Sequence, residues 1–259
     1  MPVLIGEAIG DERNKAKGGQ AGNQSGQELR IVKWYLSKKG WVVLRPKNLE
    51  IAKKIAEDMR FACNNFNIGY DQGERNTLYA VAEKFGFDCS KVETPCECDC
   101  SSLVRVCLAY AGIKVRNFTT ANEISILMAT GRFETLKDAK YTKESAYLRT
   151  GDILVTSIKG HTAVVLTDGE KAHEDDPKPA PKPVYTDAYV LVLGSVNVRE
   201  SAPNGKVIYT AHKGKKLPYL GETIVLAEGA EWYFVETPSG NGYISAFTNK
   251  RKKYTKLVE

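Results

Sequence analysis

A cysteine that opens an apolar helical run, together with a histidine ahead of a strand, is the smallest set of side chains that can make a thiol nucleophile and its general base. This chain holds both. Asp99-Cys100-Ser101-Ser102 leads into Leu103, Val104, Cys107, Leu108 and Ala111, which recur at helical spacing until Gly112 ends the run. Unpaired N–H groups and the positive end of the dipole favour an anion there, so a lowered thiol pKa and an oxyanion-binding amide are expected at Cys100. Cys107 is expected in the core.

Downstream, Gly151-Asp152 introduces Ile153-Leu154-Val155, a polar turn follows, and His161 begins the apolar run Ala163-Val164-Val165-Leu166. Asp168-Gly169 is a hairpin signal that would return the chain to His173. If register brings the two rings together, His161 takes the thiol proton and His173 holds its imidazole in one tautomer. The same cysteines invite a metal reading, since Cys96, Cys98 and Cys100 alternate with Glu97 and Asp99. Single-residue spacing is too short for a loop to wrap zinc, so no metal and no cofactor is expected.

The elements that must position these residues come mostly before them. Leu49, Ala52, Ile55, Ala56, Met59, Cys63 and Phe66 share one helical face behind Pro46. A second helix is expected over 74–85, closing at Gly86, and a third starts at a capping box of Thr120 and Glu123 and ends at Gly131. Residues 18–26 are too glycine-rich for regular structure. They read either as a plain surface loop or as a loop beside the cleft in which Gln24 donates to an oxyanion.

Asp-Cys-Ser at a helix start, then Gly-Asp-Ile-Leu, Gly-His-Thr-Ala-Val-Val and a second histidine, resembles the NlpC family of papain-like cell-wall cysteine peptidases. The resemblance implies an α+β papain-like fold over residues 1–174, with Cys100, His161 and His173 as catalytic residues. It further implies cleavage of an amide bond in peptidoglycan stem peptides, with Asp99 and Ser101 contacting the free amine end. Two departures stand out: Ser102 replaces the family's usual glycine, and the aromatic-Gly-Gly stretch is absent. Residues 67–72 come nearest to it, with Tyr70 as a candidate substrate contact.

Beyond this region, 175–188 carries a proline-rich stretch from Asp175 to Pro183 that reads as a semi-rigid spacer. Short alternating runs then fill 189–259, among them Val196-Asn-Val-Arg199, Trp232-Tyr-Phe-Val235 and Gly242-Tyr-Ile-Ser245, which predict a small antiparallel barrel. These runs resemble the bacterial SH3-like domains that hold wall hydrolases on their substrate. Tyr219, Trp232, Tyr233 and Tyr243 are available aromatics, most of which are expected to fill the core.

With 42% hydrophobic and 26% charged residues, the chain can bury an ordinary core, and no apolar run approaches a membrane span. The start lacks a signal-peptide pattern, and six cysteines in a chain made in the cytoplasm read as reduced thiols. The layout resembles phage endolysins, which reach the wall after release. Net charge is +6, and the basic segment from Asn249 to Lys256 suits anionic wall polymers or plain solvation. Peptidoglycan is the expected partner of a monomer, with neither nucleic acid nor membrane insertion. An N-acetylmuramoyl-L-alanine amidase and a non-catalytic wall-binding or tail protein remain as alternatives, as does an acyl-exchange enzyme on the same scaffold.

Overall fold

The computed structural model describes residues 2–174, 183–184, 187–227, 229–247 and 253–258. Its backbone falls into two compact units, Met1–Asp176 and Pro177–Glu259. Most of the proline-rich spacer and part of the basic segment lie outside the described residues.

The first unit opens with strands rather than the expected helices. These are β1 (Leu4–Ala8), β2 (Leu29–Lys33) and β3 (Trp41–Pro46), followed by α1 (Leu49–Cys63) and β4 (Ile68–Tyr70). Next come α2 (Thr77–Glu83), β5 (Cys96–Cys98), α3 (Cys100–Tyr110) and α4 (Glu123–Ala129). The unit closes with β6 (Phe133–Leu136), α5 (Ala139–Thr142), β7 (Ile153–Thr156) and β8 (Thr162–Val165). A glycine and a carboxylate interrupt the apolar pattern of β1. A Cβ at Gly6 would come within 2.4 Å of Met59 Cγ, so a helix packs directly on bare backbone there.

Asn48 caps α1 by accepting from the N–H groups of Glu50 and Ile51. The helix buries Ala52, Ile55, Ala56, Met59 and Ala62, while Leu49 and Phe66, expected on the same face, are exposed because they lie at its start and beyond its end. Six antiparallel strands in the order β2-β1-β8-β7-β3-β6 form the main sheet. Residues of α1 and α3 share one hydrophobic cluster with Leu44, Ile153, Val155 and Val164 of the sheet. The alternate strand positions, Ile5, Trp41, Val43, Leu154, Ala163 and Val165, form a second cluster with Tyr141 of α5, so the sheet has a core on each face.

The expected return strand to His173 is absent. Both edges of β8 are taken, by β1 on one side and β7 on the other, so no position remains for a strand after Asp168-Gly169. That segment runs instead as turns, with Gly169 N–H donating to Leu148 O. Below it, the Arg45 guanidinium meets the Asp152 carboxylate at 2.9 and 2.7 Å, both groups buried, and ties β3 to the head of β7. Asp152→Ala is expected to cost about 3–5 kcal/mol in urea unfolding, because it leaves a buried guanidinium uncompensated. A loss below 1 kcal/mol would show the pair to be dispensable.

In the second unit the strands are β9 (Tyr189–Val192), β10 (Val196–Arg199), β11 (Val207–Ala211) and β12 (Lys216–Val225). They are followed by β13 (Glu231–Thr237), β14 (Gly240–Ser245) and β15 (Thr255–Val258). Their order is β11-β10-β14-β13-β12-β9-β15. Among the described residues β11 and β15 do not pair, so the closed barrel expected from the sequence is not found. One long strand changes partners: β12 pairs with β9 through Lys216–Pro218 and with β13 at Tyr219 and again from Thr223, with a register shift between the two. Trp232, Tyr233 and Tyr243 are buried in the unit's two hydrophobic clusters, and Tyr219 packs against one of them.

Candidate functional site

The place of Cys100 is set by the cap of α3. Asp99 Oδ1 accepts from the Ser102 N–H at 2.7 Å, and Ser102 Oγ accepts from the Asp99 N–H at 2.8 Å, a reciprocal capping box. A glycine at 102 could supply only half of it. Cys100 is the first helical residue and is 7% exposed. The backbone N–H groups of Thr162 and Ser101 face its sulfur and favour a negative charge there, so the thiol lies beside the residue that follows His161.

The thiol is not acidic, contrary to the expectation from its helix start. Burial pushes Cys100 up to about 12, helped by the charges of Asp99 and Glu123, and the two N–H groups only partly offset this. Desolvation outweighs half a dipole charge. The resting group is therefore a thiol.

His161 has a partner which the sequence did not reveal. His161 Nε2 lies 2.8 Å from Oε2 of Glu7, which stands on β1 between β2 and β8, and the Glu7 side chain is fully buried. Arg30 Nε and Nη2 donate to Glu7 Oε1 at 2.9 and 2.7 Å, and the Tyr35 hydroxyl donates to Oε2 at 2.9 Å. Burial works against the Glu7 charge, but the bonds from His161, Arg30 and Tyr35 prevail and hold it below the ordinary carboxylate range. A carboxylate on Nε2 stabilises the tautomer with its proton there and leaves Nδ1 as the basic nitrogen. The Trp41 ring, with its centroid 6.2 Å from that of His161, limits one side of the imidazole. Thr156 fixes its backbone through the N–H and O of His161.

His173 stands elsewhere. Its Nε2 is 3.1 Å from Asp168 Oδ2 in the turns after β8, and half of its side chain is exposed. The neighbour of the His161 ring is thus the Glu7 carboxylate, and the His173 ring expected there from the sequence lies against Asp168. His173→Ala is expected to change the rate of substrate turnover by less than about threefold. A hundredfold loss would restore the histidine pair.

Asp99 and Ser101 are also placed otherwise than expected. Arg75 Nε lies 2.5 Å from Asp99 Oδ2, and its Nη2 donates to Asp99 Oδ1, Ser101 Oγ and Phe118 O. With Ser102 N–H and Ser101 Oγ also on Oδ1, both carboxylate oxygens are engaged by the protein itself. A substrate ammonium at Asp99 would have to displace a guanidinium. The pair holds the helix start and the 117–118 segment together, a role no local pattern in the sequence announces.

Tyr70 ends β4, whose parallel register sets it opposite Cys98, two residues before the nucleophile. It is buried, its N–H donates to Glu28 Oε2, and burial pushes its phenol up to about 12, so it remains a hydrogen-bond donor. Gln24 is committed to its own loop through Ala21 O. Glu123, read from sequence as half of a capping box, instead turns inward, where its Oε1 accepts from the Thr162 hydroxyl at 2.9 Å. Cys96 and Cys98 donate to the carbonyls of Asn67 and Gly69, and all six cysteines are free thiols.

A family model described as an endolysin-like domain matches residues 5–172, a span that includes Glu7, Cys100 and His161 and stops one residue before His173. No curated protein and no solved structure matches the chain.

Proposed function

The chain belongs to the endolysin-like domain family through residues 5–172, and from that membership we propose that it is a phage-type cell-wall hydrolase that cuts an amide bond of the peptidoglycan stem peptide with a cysteine nucleophile. The observation that carries the cysteine mechanism is the line Cys100, His161, Glu7. It runs from a sulfur that faces the N–H of Thr162, the residue next to His161, to a histidine whose far nitrogen rests on a buried carboxylate.

In this reading His161 Nδ1 takes the thiol proton as the sulfur attacks the stem-peptide carbonyl, and Glu7 stabilises the imidazolium that forms. The Cys100 N–H, in the first turn where helices leave donors without an intrahelical partner, binds the oxyanion. Collapse of the tetrahedral intermediate breaks the C–N bond, and the imidazolium returns its proton to the leaving amine. Water, deprotonated by His161, then hydrolyses the thioester and frees the thiol. No metal ion or organic cofactor enters these steps.

Residues 1–174 form the papain-like catalytic domain in this proposal, 175–188 a linker and 189–259 an SH3-like domain that grips the wall. The protein acts on the wall as a monomer, after release from the cell that makes it. Purified full-length chain added to isolated sacculi should lower their turbidity, and mass spectrometry of the products identifies the bond. A new amine within the stem supports an endopeptidase, whereas a freed N-terminal alanine supports an amidase. Clearing without any new amine would overturn amide hydrolysis altogether.

A further inference from the structure

Glu123 is a buried acid that the catalytic steps do not use. It is fully buried at the first position of α4, Oε1 accepts the Thr162 hydroxyl, and Oε2 has no hydrogen-bond partner among the described residues. Thr162 is the residue whose backbone N–H reaches the Cys100 sulfur, so acid, strand residue and nucleophile form one chain of contacts.

We propose that Glu123 is a positioning residue for the nucleophile: as a neutral acid it fixes Thr162, whose N–H faces the Cys100 sulfur, and as an anion it opposes the thiolate. The proposal rests on the cysteine-hydrolase reading and deepens it. A charged carboxylate with one hydroxyl partner in a buried site is disfavoured, and burial together with the Asp99 charge pushes Glu123 up to about 8. Around it, α3 contributes Asp99 and Cys100, with Arg75 paired to Asp99. His161 stands at the head of β8, Lys159 in the preceding turn is bonded to Ala121 O, and β6 offers only the exposed Glu134. No cation among these contacts the Glu123 carboxyl. When it ionises, its charge falls on a sulfur whose own ionisation it already opposes.

The test is the rate of Cys100 alkylation by iodoacetamide, read by peptide mass spectrometry on the full chain from pH 6 to pH 10. Glu123→Gln keeps the volume and the oxygen that accepts from Thr162, but never becomes charged. Its alkylation should match the parent protein at pH 6.5 and exceed it about three- to tenfold at pH 9.5. Glu123→Ala, which loses the tether to Thr162, should react differently from both at every pH, and glutamine should rescue it. Superimposed parent and glutamine profiles up to pH 9.5 would overturn the proposal, as would a glutamine variant altered equally at every pH. Should the alanine variant fail to fold, the glutamine profile alone decides. Because alkylation needs no wall substrate, failure here is distinct from failure of sacculi to release new amines.

Discussion

Cys100→Ala should reduce clearing of isolated sacculi by at least about 10³-fold while leaving the thermal midpoint within a few degrees of the parent. The size follows from the chemistry, because no other side chain described around the site can form the acyl intermediate and His161 alone has no nucleophile to activate. The stability side follows from the contacts. The sulfur faces two backbone N–H groups at the start of a helix that Asp99 and Ser102 cap without it. Cys100→Ser tests the same step more sharply, since the hydroxyl fits the site but is a far weaker nucleophile in this arrangement. Equal clearing by parent and alanine proteins would remove the enzyme claim and leave a wall-binding protein.

The second large effect is expected at Glu7. Glu7→Gln keeps the shape of the side chain but removes the charge that pairs with Arg30 and would stabilise an imidazolium on His161. An amide can also turn its NH₂ toward Nε2 and favour the wrong tautomer, so kcat/KM should fall by about 10²- to 10⁴-fold. Glu7→Ala should add a stability loss of about 3–5 kcal/mol, because Arg30 and His161 then lose the buried carboxylate between them. The pH dependence has a definite sign. Glu7 sits below its ordinary value of 4.5 in the folded protein, so its contribution is complete above that value and is lost as pH falls through the lowered one. The stability gap between parent and glutamine proteins should thus close as pH falls through the lowered Glu7 range. Kinetics of Glu7→Gln within threefold of the parent would return the orienting role to another residue.

What could be read along the chain was what neighbouring residues decide among themselves. The Asp-Cys-Ser-Ser start, with apolar residues at helical spacing behind, determines a helix with Cys100 in its first turn, and Gly151-Asp152 to Val165 determines a hairpin with His161 at its second strand. The face of α1 was legible for the same reason. The alternating runs past 189 announced a second, all-β unit, although nothing local announced that β12 would bend from one partner strand to another.

Only the tertiary structure decided the rest, and in each instance the cause is a partner distant in sequence. Glu7 reaches His161 because β1 pairs with β8 across most of the first unit, and that same pairing removes the position a strand carrying His173 would need. Arg75 engages Asp99, and Thr162 draws Glu123 away from its helix start. The acidity of Cys100 is decided by how much water and which charges the fold leaves around the sulfur. A helix start specifies a dipole, but desolvation is a property of packing, and here packing prevails.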